Sequence, residues 1–385
     1  MKVAVLGGGR VGAVIARDLA SAGEFDVTVV DREAEVLDRL SSVAQVDTVQ
    51  ADLGDEQAVT RAVKDADLAV GAVPGAIGFA TLRAALAAGR PVVDISFFPE
   101  DPFDLDELAR RHGVTAVVDA GVAPGVSNLL AGQFASRLDE LTYFACYVAG
   151  VPARPEPPWH YKAPFSPIDV IAEYVRPARL VRGGEVVAVP ALSEPELLEF
   201  AGVGTLEAFA TDGLRTLLRT VRCPEMVEKT MRWPGHRERV EALRDAGFFG
   251  EAPVQAGGVT VRPVDVAAAL LFPVWHLGEG DEDLTVMRVV IEGRTGSRRV
   301  RHEFELLDRY EPTTGTTSMA RTTGYTCTAT VRLLAAGLYR RPGIAPLELV
   351  GGEPGCAEFI LADLARRGVT LRETVAETPR GAATR

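Results

Sequence analysis

The feature that most constrains this chain is a glycine-rich loop between a short apolar strand and a helix. Residues 2–6 predict the strand, the sequence GGGRVG follows over residues 7–12, and a helical pattern continues to Leu19. A second strand, Val27 to Val30, ends at Asp31. A strand, a G-x-G-x-x-G loop, a helix and an acidic residue about 20 positions further on are typical of a dinucleotide-binding βαβ unit.

Each part of this loop has a physical role. Gly7 allows the tight turn, Gly9 lets the backbone approach a pyrophosphate, and Gly12 lets the helix pack on the strand. The amide groups at the helix N-terminus face the anion. Asp31 is expected to accept hydrogen bonds from the adenosine ribose and to repel a 2′-phosphate, which favours NAD. The neighbouring Arg32 could hold that phosphate, so NADP stays possible.

Helices and strands continue to alternate up to residue 118. In order, we predict helix 33–40, strand 46–50, helix 55–64, strand 68–73, helix 79–88, strand 91–94, helix 105–111 and strand 114–118. Elements of this length alternate when parallel strands are joined by right-handed crossovers. The sequence therefore predicts a doubly wound, six-stranded Rossmann sheet.

Ligands of such sheets bind beyond the carboxyl ends of the strands. The residues at those ends are our candidates for cofactor binding: Gly7, Gly9, Arg10, Val11, Gly12, Asp31, Arg32, Asp52, Leu53, Ala72, Val73, Pro74, Ser96 and Gly121. For Asp52, a role as a helix cap is an open alternative.

Composition excludes several classes of partner. A formal net charge of −12 and scattered basic residues argue against nucleic acid and against anionic membranes. The four cysteines lie far apart without zinc-ligand spacing, so we expect reduced thiols and no metal. No apolar run approaches the ~20 residues of a membrane helix, and the first strand begins at once. We therefore expect a cytoplasmic protein.

The chain changes character after residue 125. Residues 151–167 are rich in proline and aromatic residues, which suits a linker or the wall of a cleft. Long extended runs over 284–291 and 299–307 predict an antiparallel sheet, and helices are predicted over 322–337 and 355–367. We therefore expect a Rossmann domain of residues 1–124 and 320–385, with returning C-terminal helices, and an α+β substrate and dimerisation domain of residues 125–319.

Several segments together resemble the saccharopine dehydrogenase family. In chain order they are the glycine loop, DAGVAPG at 119–125, GVP at 150–152, YK at 161–162, FSP at 165–167 and KTMRWPGH at 229–236. Within the family, the likeness is greatest to lysine 6-dehydrogenase, through RPEPP at 154–158, LEAF at 206–209 and MARTTGYT at 319–326. The YK pair at 161–162 is more similar to the saccharopine-forming enzymes.

The resemblance implies a homodimeric oxidoreductase that uses a nicotinamide cofactor to oxidise a carbon–nitrogen bond of a small amino-acid substrate. The leading expectation is oxidative deamination of L-lysine. The alternative is an enzyme that forms or cleaves a secondary amine, as saccharopine dehydrogenases do. A further alternative is a dinucleotide-binding sensor without turnover, although a sensor has no need of a cleft with Lys, Arg and His at its mouth.

An amine must lose a proton before hydride can leave the adjacent carbon, so the site needs a base. The candidates are Lys229, His236 and Asp212, and a neighbouring Arg232 would lower the pKa of Lys229. A solvated lysine and a capping histidine are the structural alternatives. The candidate substrate-binding residues are Arg232, whose planar fork suits a carboxylate, together with Asp119, Tyr161, Lys162, Ser166 and Arg154.

Overall fold

The computed structural model describes residues 1–21, 23–163, 167–278 and 280–379. The chain forms two compact units. The first unit contains Met1–Leu138, Arg219–Val221 and Ala320–Thr370. The second contains Asp139–Leu218, Arg222–Met319 and Leu371–Arg385, of which residues up to 379 are described.

The strands and helices are numbered in chain order. Up to residue 138 they are β1 (Lys2–Leu6), α1 (Arg10–Ser21), β2 (Asp26–Asp31), α2 (Ala34–Val43), β3 (Asp47–Gln50), α3 (Glu56–Val63), β4 (Leu68–Gly71), α4 (Gly75–Ala87), β5 (Val92–Asp94), α5 (Asp106–His112), β6 (Thr115–Val117) and α6 (Val126–Arg137). From residue 139 to 317 they are β7 (Glu140–Pro152), α7 (Pro167–Val175), β8 (Ala178–Arg182), β9 (Glu185–Val189), β10 (Glu196–Phe200), β11 (Gly204–Ala210), α8 (Leu217–Thr220), β12 (Met226–Arg232), α9 (His236–Asp245), β13 (Val254–Ala256), β14 (Val259–Val261), α10 (Pro263–Trp275), β15 (Asp283–Thr295) and β16 (Arg298–Arg309). The remaining elements are α11 (Ser318–Ala335), β17 (Gly343–Ile344), α12 (Leu347–Gly351), α13 (Cys356–Arg366) and β18 (Leu371–Pro379).

The first unit is built on a parallel sheet, which confirms the predicted α/β class. Its strand order is β17-β6-β5-β4-β1-β2-β3. At the end of β1, Leu6 pairs with Val30 on one side and Gly71 on the other. The six predicted strands are all present, and β17 adds a seventh, whose two residues are too few to show a period in the sequence. The carboxyl ends of all these strands meet at one edge.

Helix α4 begins four residues earlier than predicted. Gly75 and Gly78 resemble a loop in the sequence, but Gly78 packs directly against the chain that follows β5. A Cβ at Gly78 would lie 2.8 Å from the Cβ of Ser96 and 3.0 Å from Cδ1 of Phe98. The glycine therefore serves close packing of a helix rather than a turn.

Two of the predicted domain boundaries differ from the structure. Helix α6 belongs to the first unit because it lies directly against α12, where a Cβ at Gly132 would come within 1.8 Å of the Glu348 carbonyl oxygen. The Nδ2 of Asn128 also donates to the Glu348 carboxylate at 3.1 Å. Strand β18, expected in the first domain, pairs with β16 of the second unit.

The second unit is built on a mixed sheet with the main order β10-β11-β12-β7-β15-β16-β18. Strands β15 and β16 are antiparallel, as their long extended runs predicted, but β12 and β7 are parallel. One buried cluster of this unit includes Tyr161, Tyr174, Phe209 and Trp275.

Within the described ranges, no helix combines the length and hydrophobicity needed to cross a membrane. The apolar helix α10, which ends at Trp275, contains Pro273. The four cysteines are free and buried. Among the residues that the structure describes, no group of three or more His, Cys, Asp or Glu side chains is arranged to hold a metal ion.

Candidate active site

The glycine loop of the first unit has two positions that only glycine can fill. Gly7 has a φ of +105°, and a Cβ there would lie 2.3 Å from the Ala72 carbonyl oxygen. A Cβ at Gly12 would lie 2.0 Å from the Gly7 carbonyl oxygen. These glycines are required by contacts within the protein, because the loop turns tightly and α1 starts against it.

Gly9 differs because nothing in the described protein crowds it. A Cβ there would meet no atom within 4 Å, and the residue is exposed just before α1. Helix N-termini present unpaired amide groups that attract anions. The loop therefore offers an open backbone surface that a pyrophosphate would cover and that a side chain would fill.

Asp31 joins the loop to the end of β2. Its Oδ2 accepts from the Gly8 N–H at 2.7 Å, and its Oδ1 accepts from the Glu33 N–H at 3.0 Å. Each carboxylate oxygen has a second lone pair for a hydroxyl donor. Arg32 is exposed and pairs with Glu33 at 3.0 Å. The loop and Asp31 fit a dinucleotide, with its adenosine ribose at the carboxylate.

The other candidate cofactor residues occupy the same sheet edge with different local roles. Asp52 accepts from the Gly54 N–H at 2.9 Å, which stabilises its own turn. Leu53 and Val73 are buried in the core of the first unit. Ser96 is 4% exposed, and its hydroxyl has no hydrogen-bond partner among the described residues. A buried hydroxyl of this kind is available to a ligand.

The remaining members of the set lie beside these. Arg10 and Val11 are the first residues of α1, Ala72 contacts Gly7, and Pro74 is the N-cap of α4. Gly121 follows β6, where a Cβ would lie 3.1 Å from the Pro124 carbonyl oxygen. Asp119, a candidate for substrate binding, is buried in the first unit with a φ of +54°.

In the second unit, Arg232 at the end of β12 is almost completely buried. Its Nη1 donates to the Met231 carbonyl at 3.0 Å, and its Nε lies 3.4 Å from the Tyr174 hydroxyl. The guanidinium carbon stands 4.6 Å from the centre of the Tyr161 ring. Its Nη2 lies 3.3 Å from Oε2 of Glu173. These neighbours hold the planar fork in one orientation.

His236 belongs to the same cluster and is fully buried. Its Nδ1 lies 2.8 Å from the Trp159 carbonyl, an acceptor, so this nitrogen carries the hydrogen. Nε2 then accepts from the Tyr174 hydroxyl at 2.9 Å. Burial, and secondarily the charge of Arg232, lower the pKa of His236 to about 3. Both ring nitrogens are engaged and the ring is neutral, so the geometry favours an orienting role over that of a base.

Lys229 does not contact Arg232, although the sequence suggested that the two side chains lie together. The two side chains leave β12 on opposite faces because strand residues alternate. Lys229 Nζ donates to the Glu194 carbonyl at 2.8 Å and pairs with Glu196 at 2.6 Å. Met231, on the same face as Lys229, belongs to a different buried cluster from Tyr161.

Asp212, the third candidate base, is bound by an arginine. Arg179 donates from Nε and Nη2 to its two oxygens at 2.8 and 2.9 Å. The planar fork of Arg179 matches the two carboxylate oxygens in a bidentate pair. Asp212 therefore has a structural partner of its own, which the sequence alone did not indicate.

The other predicted substrate residues are distributed around the proline-rich segment. The Tyr161 hydroxyl is buried without a hydrogen-bond partner among the described residues. Lys162 pairs with Asp281 at 2.7 Å, and that carboxylate raises the pKa of Lys162. Arg154 is exposed. Ser166 lies outside the described residues.

The sequence analysis did not identify two residues of the cluster around Arg232, namely Glu173 and Tyr174 on α7. The available signal was a second acidic residue, after Asp169, within the otherwise apolar helix sequence PIDVIAEYV. An acid in such a helix is usually solvated, and only the structure shows Glu173 against Arg232. Burial raises the pKa of Glu173 to about 7, although Arg232 opposes the shift.

Comparison with known proteins identifies the family. Residues 3–117 match the saccharopine dehydrogenase NADP binding domain, and residues 121–369 match the saccharopine dehydrogenase C-terminal domain. The chain belongs to the saccharopine dehydrogenase family. It is an oxidoreductase of the amino-acid dehydrogenase type whose first domain serves a nicotinamide dinucleotide.

The relatives include proteins named saccharopine dehydrogenase [NADP(+), L-glutamate-forming]. The one from Schizosaccharomyces pombe is 22% identical over 97% of this chain and 98% of its own length. The one from Pyricularia oryzae is 26% identical over 61% of this chain and 55% of its own. Among solved structures, apo saccharopine dehydrogenase (L-Glu forming) from Saccharomyces cerevisiae superposes with a TM-score of 0.79 at 18% identity, covering 97% of this chain and 99% of that one. That likeness shows the fold.

Proposed function

We propose that this protein catalyses the nicotinamide-dependent oxidation of a secondary amine that carries amino-acid carboxylates, or the reverse reaction. This is the saccharopine-type alternative from the sequence, and the relatives favour it over deamination of L-lysine. The observation that carries the proposal is the buried, oriented guanidinium of Arg232. Such a fork binds a carboxylate through two parallel hydrogen bonds.

The residues of the second unit would position the substrate. Arg232 would hold a carboxylate, and its contacts with Tyr161 and Tyr174 would fix the angle at which that carboxylate lies. His236 would keep Tyr174 in place as a neutral acceptor. The bound cofactor would supply the hydride acceptor. We do not assign the base to Lys229, His236 or Asp212, because all three have partners in the structure.

We propose NAD as the preferred cofactor. Asp31 places a carboxylate at the end of β2, where a 2′-phosphate would be repelled, and Arg32 is paired with Glu33. The matched family domain and both relatives are described by NADP. Binding of NADP more than tenfold tighter than NAD would overturn this preference. Homodimer formation and a cytoplasmic location also remain predictions.

The test is a steady-state assay of nicotinamide reduction with saccharopine, L-lysine and other amino acids, each with NAD and with NADP. We expect saccharopine to give the highest kcat/KM. A higher kcat/KM for L-lysine would return the assignment to the deaminating enzyme. Absence of turnover with every amine, despite tight cofactor binding, would favour the sensor.

Arg232→Lys is the matched variant because it keeps the charge and removes the fork. We expect KM for the amino-acid substrate to rise at least tenfold while the affinity for the cofactor stays unchanged. An unchanged KM would remove Arg232 from the site.

A further inference from the structure

Glu173 is the carboxylate that contacts Arg232 among the described residues. The two side chains differ in access to solvent, since 3% of the Arg232 side chain is exposed but 26% of the Glu173 side chain is. Glu173 is therefore the solvent-accessible partner of this ion pair. A substrate carboxylate that binds the same Nη2 atom would compete with Glu173.

The other two nitrogens of the guanidinium each make one hydrogen bond within the protein. Nη1 and Nε are directed to the Met231 carbonyl and the Tyr174 hydroxyl, and Tyr161 covers one face. The Tyr174 hydroxyl donates to His236, so it can only accept from Arg232. Glu173 is thus the partner that an incoming anion can replace without breaking this chain of hydrogen bonds.

We propose that Glu173 is a built-in competitor for the substrate carboxylate: it pairs with Arg232 in the free protein and takes up one proton from solvent when a substrate carboxylate replaces it. The ion pair between Glu173 and Arg232 breaks, and a new pair between Arg232 and the substrate forms. Because Glu173 is then protonated, only the substrate carboxylate is negatively charged beside the guanidinium. This inference rests on the proposed role of Arg232 as the carboxylate anchor.

The charges around Glu173 support a proton change near neutral pH. Burial disfavours its charged form, Arg232 on β12 favours that form, Asp169 on α7 disfavours it and Arg176 just beyond α7 favours it. Glu228 on β12 is a further acid, and burial, together with the charge of Glu173, raises its pKa. The other titratable groups nearby are the hydroxyls of Tyr161 and Tyr174. Loss of the Arg232 ion pair removes the main influence that keeps Glu173 charged, so its pKa rises on substrate binding.

The affinity for a carboxylate is therefore expected to fall as pH rises. Below about pH 7 Glu173 is protonated in the free protein and does not compete. Above that pH its carboxylate competes, and each unit of pH weakens binding of a carboxylate up to tenfold because one proton must be taken up. Glu173→Gln removes the titration, so binding should be independent of pH and as tight as in the wild type at low pH.

Calorimetry with glutarate tests this without the ionisation of a substrate amine, since glutarate is a dicarboxylate that has none. Titrations of the full chain with saturating NADH, at pH 6.5, 7.5 and 8.5, in two buffers with different protonation enthalpies, give both Kd and proton uptake. For the wild type we expect Kd to rise at least tenfold across this range, with about one proton taken up at pH 8.5. For Glu173→Gln we expect a flat Kd and no uptake, whereas Glu185→Gln, an exposed charge removal on β9, should behave as wild type.

The outcomes separate the two proposals. If Arg232→Lys binds glutarate as tightly as the wild type, or if the wild type does not bind it, the anchor fails and the competitor fails with it. If Arg232→Lys loses affinity but Glu173→Gln keeps the wild-type pH dependence and proton uptake, the anchor stands and the competitor is wrong. A merely structural Glu173 would change affinity equally at every pH, which also overturns the proposal.

Discussion

Arg232 and His236 show how neighbouring side chains settle what a residue can do. In isolation His236 could carry a proton and Arg232 could anchor an anion. In the structure their hydrogen bonds run in one direction, from Arg232 to Tyr174, to His236 and to the Trp159 carbonyl. A histidine that accepts at one nitrogen and donates at the other has no free position for a substrate proton. The chain therefore fixes the guanidinium and leaves the histidine neutral.

Gly9→Val should abolish cofactor binding and leave the fold intact. The new side chain enters open space, so it strains no contact of the protein, but it fills the surface that a pyrophosphate needs. Calorimetry with NADH and a thermal melt measure the two effects. Gly12→Val is the contrasting variant, because its Cβ meets the Gly7 carbonyl and should lower Tm. Unchanged NADH affinity in a folded Gly9→Val protein would refute the role of the loop.

Lys229→Met should leave the pH dependence of kcat unchanged. Lys229 points away from Arg232 and is bound to Glu196, so we expect a loss of roughly 1 kcal/mol of unfolding free energy and little change in rate. Urea unfolding and a pH–rate profile measure these quantities. If kcat falls a hundredfold and its pH dependence changes, the lysine is the base that the sequence suggested, and our structural assignment is wrong.

At the level of elements, one face of β12 carries two buried ionisable side chains, Arg232 and Glu228. Burial raises the pKa of Glu228 to about 8, even though Thr211 donates to it at 2.7 Å. Its folded-state pKa lies above the unfolded value of about 4.5. The stability from this group is therefore complete below about pH 4.5 and is lost as pH rises through 8.

Glu228→Gln removes this titration and keeps an oxygen that can accept from Thr211. We expect the variant to gain unfolding free energy relative to the wild type as pH rises from 5 to 8, by at most about 1.4 kcal/mol per pH unit. Urea unfolding at each pH gives the difference, and Glu185→Gln controls for removal of an exposed charge. A difference that does not change with pH would show that Glu228 is ionised in the folded protein.

At the level of the whole molecule, residues distant in the chain complete each unit. The first sheet gains β17 beside β6, and α6 packs on α12 so closely that Gly132 cannot carry a side chain. The second sheet gains β18 beside β16. Both units therefore depend on residues that follow residue 319.

A chain that ends at residue 319 should fail to fold its first unit. Without β17 the edge of β6 is left unpaired, and without α12 the buried residues of α6 are exposed to water. We expect no cooperative melt from that unit and no NADH binding, with the full chain as the control measured in parallel. NADH binding by the truncated chain would show that residues 1–319 suffice for the cofactor domain.

The sequence by itself determined the α/β class, the parallel sheet and the position of the glycine loop, because these depend on short-range periods and on backbone positions that only glycine allows. It also identified the family. It could not determine that Lys229 pairs with Glu196, that Arg179 binds Asp212, or that Glu173 contacts Arg232. Those facts depend on which strands and helices become neighbours, and burial of each group then sets its charge. The tertiary structure decided them because the contacts join residues that are far apart in the chain.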